Sequence, residues 1–93
     1  MFGDNKKFGL YLKEKRVKAS LNQGEVAEAL GYTTPQFVSN WERGLSSPPP
    51  NKYLALVKLY KIDRKEFVKV LLSLEEDALC ALLKTKDTKR KRA

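Results

Sequence analysis

The chain has 93 residues, 42% hydrophobic and 32% charged, and its 19 Lys and Arg against 11 Asp and Glu give a net charge of +8. A chain of this length holds one core, its composition is that of a globular rather than a disordered protein, and the positive surplus favours a polyanionic partner. With one cysteine, Cys80, and no histidine, an intramolecular disulfide and the usual Cys/His zinc sites are excluded, so no metal and no cofactor is expected.

Cys80 itself reads as a small buried hydrophobe in a reducing compartment. The start, MFGDNKKFG, carries no apolar run for a signal peptide, and nowhere do roughly 18 apolar residues follow one another. The expected location is the cytoplasm, away from any membrane.

Residues 6–18, KKFGLYLKEKRVK, set Phe8, Leu12 and Arg16 at four-residue spacing among Lys and Glu, which predicts an amphipathic helix of about three turns. In SLNQGEVAEALGY, Asn22 and Glu25 have capping-box spacing, Val26 and Leu30 form the apolar stripe, and Gly31 supplies the positive φ that ends a helix over Gln23–Leu30. In TTPQFVSNWERG, Thr34 suits an N-cap and Pro35 the first helical position. That helix runs to about Arg43, and Gly44 stops it. Val38 and Trp41 face inward with Phe37 beside them, while Gln36, Ser39, Asn40 and Arg43 point elsewhere.

LSSPPP at 45–50 is a rigid link. A fourth helix over NKYLALVKLYKI turns Tyr53, Leu56, Val57 and Tyr60 inward. Asp63 with Glu66 is a second capping box, opening a helix that carries Phe67, Val70, Leu71 and Leu74. Ser73 with Glu76 leaves open whether residues 63–83 form one helix or two. The last ten residues, 84–93, hold six basic residues and one acidic, a charge of +5, and have no apolar partner, so a disordered basic tail is expected. No strand-like alternation or hairpin signal occurs. The expected fold is therefore all-α, a compact domain of five or six helices over residues 6–83.

Two short helices joined by a turn containing Gly31 form a helix-turn-helix arrangement over residues 22–44. A major groove about 12 Å wide admits one helix, and Gln, Ser and Asn on its exposed side can donate and accept at base edges. LNQGEVAEALGY followed by VSNWERG and SPP resembles the Cro and phage-repressor family of helix-turn-helix proteins, with the lambda-repressor-like fold, over roughly residues 8–72. The resemblance implies an ion pair between Arg16 and Glu42, and a Gln23 that binds a phosphate and braces the start of the recognition helix. It also implies that Gln36, Ser39 and Asn40 reach bases or phosphates, that Arg43 reaches a phosphate, and that Thr33 and Thr34 join the DNA-binding set from the turn. One residue more separates Gly31 from Trp41 than in the common family pattern. Gln36 is taken as the first base-reading position, since Pro35 has no donor and Thr34 serves as a cap.

Catalysis is not expected: there is no histidine, no nucleophile beside a base and no glycine-rich phosphate loop, and Glu75, Glu76 and Asp77 fit the first turn of a helix. The function expected is sequence-specific binding of double-stranded DNA by a transcriptional regulator, a repressor, without an effector domain. It acts as a homodimer through the C-terminal helical segment on a near-palindromic operator. The alternatives are an antitoxin whose segment from Leu71 onward grips a toxin, and an adaptor that keeps the fold for a protein partner without reading bases.

Overall fold

The computed structural model describes residues 4–84, and helix follows helix through them: α1 (Asp4–Lys18), α2 (Gln23–Leu30), α3 (Gln36–Glu42), α4 (Tyr53–Leu59) and α5 (Arg64–Lys84), with a 3₁₀ turn at Pro50–Lys52 before α4. No strand occurs among the described residues. Over the described residues the fold is the all-α one that the periodicity predicts, with five α-helices.

The first four helices end in the same way. The residue after the cap is left-handed, its N–H and the next one turn back into the last turn, and an apolar side chain follows. At α2 this residue is Gly31, φ 90°, with Gly31 N bonded to Glu28 O and Tyr32 N to Ala27 O at 2.9 Å. At α3 it is Gly44, φ 79°, with Leu45 N on Asn40 O at 2.9 Å. At α1 and α4 the place is taken by Ser20 (φ 63°) and Lys61 (φ 56°), residues for which this conformation costs about 1 kcal/mol. There Leu21 N and Ile62 N reach Arg16 O and Val57 O. Ile62 is buried and Leu21 packs against the core, and their burial offsets that cost.

The capping boxes differ from each other. At α2 both halves form: Glu25 N donates to Asn22 Oδ1 at 2.8 Å and Asn22 N to Glu25 Oε1 at 2.9 Å. At α5 only the first half forms, Glu66 N to Asp63 Oδ2 at 3.0 Å. The Glu66 carboxylate turns instead to α1, accepting from Tyr11 Oη at 2.8 Å and pairing with Lys15 Nζ at 2.9 Å.

Phe8 and Leu12 of α1, Val26, Ala27 and Leu30 of α2, Val38 and Trp41 of α3, Leu56 and Val57 of α4, with Tyr60, Ile62 and Phe67, make the core. α1 and α3 approach closely at Gly9, where a Cβ would run into the carbonyl oxygens of Trp41 and Glu42. α5 runs back along α1. Phe67 meets Phe8 at 6.0 Å and Tyr53 at 5.4 Å between ring centres, and further along α5 Asp77 meets Lys7 at 3.2 Å.

Residues 64–84 form a single helix, which decides what Ser73 and Glu76 left open. The stretch contains neither Gly nor Pro and is rich in Leu, Ala and Glu, so the Ser73 signal is outweighed by propensity on both sides of it. Val70, Leu71 and Leu74 pack against the core, but Leu72, Leu79 and Leu83 are exposed. Cys80 is exposed as well, contrary to the buried position expected of it, because α5 has by then passed the last layer of the core.

The link from α1 to α5 makes acid stability testable. The bond from Lys15, and then that from Tyr11, hold the Glu66 carboxyl below its ordinary value. A carboxyl depressed in the folded state contributes stability above the unfolded value, and that contribution is lost as pH falls through the depressed one. Thermal unfolding should therefore show wild type above Glu66→Gln at neutral pH, with the gap closing in acid below the usual carboxylate range. A gap that stays constant with pH would remove the charge of Glu66 from the explanation.

Candidate nucleic-acid interface

Arg16 comes from the last turn of α1, Gln23 is the first residue of α2 and Glu42 the last of α3, and the three meet at one carboxylate. Arg16 Nε donates to Glu42 Oε2 at 2.6 Å and Nη2 to Oε1 at 3.1 Å, the two-pronged geometry a planar guanidinium favours. Arg16 Nη1 takes Leu21 O at 2.8 Å, and Gln23 Nε2 adds a second donor to Glu42 Oε1 at 2.9 Å. The side chains are 11% and 3% exposed, so the pair lies inside the domain. The bond to Glu42 raises the Arg16 guanidinium further above its already high value.

Gln23 thus braces the end of α3, not its start as the resemblance implies. Its amide satisfies a carboxylate oxygen that burial has removed from water. With Gly9 admitting the carbonyls of Trp41 and Glu42 two turns earlier on α1, α3 is held on α1 at two places.

The start of α3 is set by Pro35, which occupies the cap position one residue later than expected, and by Thr34, whose Oγ1 accepts from Gln36 N at 3.3 Å. Ser39 N closes the first turn on Pro35 O at 2.9 Å. Val38, Trp41 and Glu42 face the core. On the other side Gln36 is exposed and Ser39 and Asn40 are half-buried, with Gln36 Nε2 donating to Asn40 Oδ1 at 2.9 Å. Thr33, Thr34 and Arg43 are exposed at the two ends of this face. Helical spacing therefore puts Gln36, Ser39, Asn40 and Arg43 on one side of α3, with Thr33 and Thr34 exposed in the turn before it, while Arg16, Gln23 and Glu42 are joined to one another at the end of the helix.

Two residues near this surface escaped the sequence reading. Phe37, placed beside the inward-facing Val38 and Trp41, is 51% exposed, its ring 4.7 Å from that of Tyr32. Lys52 holds its ammonium over Tyr32, 5.3 Å from the ring centre, and donates to Leu30 O, the last carbonyl of α2, at 3.1 Å. A helical step of about 100° per residue already puts Phe37 off the Val38–Glu42 side. Nothing in the sequence announces Lys52, because its partner is a backbone carbonyl 22 residues away.

Comparison with protein families settles what this arrangement is. The family model HTH_3, described as helix-turn-helix, matches residues 12–67, from the middle of α1 to the first turn of α5. The chain belongs to the Cro/C1-type helix-turn-helix family. No curated protein and no solved structure matches it.

This helix-turn-helix domain is accordingly one of a DNA-binding, regulatory family, and double-stranded DNA is its partner class. Members of the family are not typically enzymes. Among the described residues no helix is long and apolar enough to cross a membrane. The match stops at residue 67, so most of α5 lies beyond the family's helix-turn-helix. The basic tail after Lys84 falls outside the described residues.

Proposed function

We propose that this helix-turn-helix protein is a sequence-specific transcriptional regulator, a repressor, that sets α3 in the major groove of double-stranded DNA as a homodimer on a near-palindromic operator. The observation that carries the reading is the coupled pair Gln36 and Asn40. Their mutual bond uses one Gln36 amide hydrogen and the Asn40 carbonyl, and leaves the Gln36 carbonyl as an acceptor and the Asn40 amino group as a donor for a ligand. An amide in that state suits adenine, which offers N7 as acceptor and N6 as donor in the major groove. In this reading Ser39 contacts a base edge or a phosphate beside them. Arg43, Thr33 and Thr34 likewise contact phosphates, and the second amide hydrogen of Gln23 reaches another.

Dimerisation is supported by α5. Leu72, Leu79 and Leu83 are 63%, 51% and 72% exposed and lie within about 40° of one another around the helix, on the side away from Phe67, Val70 and Leu74. A second copy of the stripe would cover them, and two-fold symmetry would space two α3 helices about 34 to 36 Å apart, one turn of DNA. A dimer bound at a promoter represses by occupying it, with no further part.

Sedimentation equilibrium checks the dimer. Wild type should sediment at twice its mass of 10.6 kDa, and Leu72→Ser/Leu79→Ser/Leu83→Ser as a monomer. Loss of three buried leucines should weaken association by about 3 kcal/mol or more, on the order of a hundredfold in Kd. A monomeric wild type would give the stripe to another protein, as the antitoxin reading requires.

Base reading is tested by selection from random duplex DNA at about 150 mM salt, where binding by charge alone is suppressed. A near-palindromic motif with half-sites one helical turn apart is the expected result. Recovery of no motif would overturn sequence-specific reading.

A further inference from the structure

We propose that Phe37 is a specificity-determining residue that reads the 5-methyl group of a thymine next to the base pair contacted by Gln36 and Asn40. The inference rests on the DNA-reading function proposed above. An exposed phenylalanine on its own needs no explanation, since single apolar side chains are common on protein surfaces. This one differs in where it stands and in how it is held.

It is the second residue of α3, in the first turn, the part of a recognition helix that meets base edges. At about 100° per residue it lies about 60° round the helix from Asn40, so it continues the amide face at the border with the core. Its ring rests on Tyr32 at 4.7 Å, and Tyr32 stands edge-on against the buried Trp41 at 5.9 Å, with the Lys52 ammonium 5.3 Å from its ring centre. A chain of ring contacts thus runs from the core to a ring that still has half its surface in water. The entropy of fixing that ring has been lost on folding, so little more is lost on contact with a ligand.

The edge of the major groove carries hydrogen-bonding atoms at every base pair and one apolar group, the thymine methyl. An aromatic ring fixed beside two amides has that methyl as its complement in the groove. Phosphate and sugar contacts would call for donors there, and the neighbouring Thr33 and Thr34 supply them.

The test uses the full chain and the duplex recovered by selection, with each thymine of the half-site replaced in turn by uracil, which removes the methyl and leaves the pairing edge intact. At one position the replacement should weaken wild-type binding about fourfold per half-site, the effect of one buried methyl. Phe37→Ala should bind the thymine duplex several-fold more weakly and be indifferent to uracil at that position, while Phe37→Leu, still apolar, should keep part of the preference. The uracil scan on wild type needs no mutation, so a Phe37→Ala protein that folds poorly does not block the test. Wild type indifferent to every replacement, or a Phe37→Ala protein as sensitive to uracil as wild type, would overturn the assignment while leaving amide reading intact. If selection returns no motif, base reading fails first and the role of Phe37 falls with it.

Discussion

Glu42→Ala should lower the stability of the domain by about 3 to 5 kcal/mol, the loss that follows when one partner of a buried ion pair is removed. Three donors now point at that carboxylate, Arg16 Nε, Arg16 Nη2 and Gln23 Nε2, and all three lose their acceptor together. Arg16 keeps only Leu21 O, and its charge stays inside the domain without an opposite one. At about 4 to 8 °C per kcal/mol for a domain of this size, the midpoint of thermal unfolding should fall by well over 10 °C.

The double variant Arg16→Met/Glu42→Leu should recover much of the loss, since two apolar side chains of similar volume are often no less stable than the pair they replace. Urea denaturation of the three proteins checks both statements. A cost below about 1 kcal/mol for Glu42→Ala would mean that water reaches Arg16. Recovery of stability without recovery of DNA affinity in the double variant would show that the pair serves to orient α3.

The elements of the fold were readable because their signals are local. Asn22 with Glu25, Gly31, Gly44 and the apolar spacing of α2 and α4 each act within a turn or two of chain. The misreadings have a common physical origin. Ser20 and Lys61 end helices without a glycine and so carry no local stop signal, the packing of the following Leu21 and Ile62 outweighing the strain. Glu66 abandons its capping box for Tyr11 and Lys15 of α1, and Gln23 of α2 turns to Glu42 of α3, in both cases for partners that only tertiary packing brings within reach. Cys80 is exposed although a free cysteine is usually buried, because the general preference of a residue type tells nothing of whether another element lies opposite it. The outward face of α3 was legible as a set of residue types. The bond between Gln36 and Asn40 depends on rotamers, and the contact of the Phe37 ring with Tyr32 on how the turn packs, and neither is encoded in spacing.

Gln36→Ala/Ser39→Ala/Asn40→Ala should leave stability within about 0.5 kcal/mol of wild type, because the three side chains lie outside the core and alanine favours a helix. Its affinity for the selected duplex should fall by about 3 to 5 kcal/mol, on the order of a hundred- to several-thousandfold, since each good amide–base contact contributes about 1 to 3 kcal/mol and the coupled Gln36 and Asn40 will not add in full. Affinity for random duplex should hardly change, so the ratio of the two carries the result. The dependence of log affinity on log salt should also keep its slope, as no charge has been removed, whereas Arg43→Ala should weaken every duplex alike and reduce the slope by about 0.9 if its phosphate contact is made. Titrations at several salt concentrations separate these effects. A triple variant that loses the same factor on selected and random DNA would show that Gln36, Ser39 and Asn40 position the helix on the backbone, and sequence reading would then have to come from other residues of the turn and of α3.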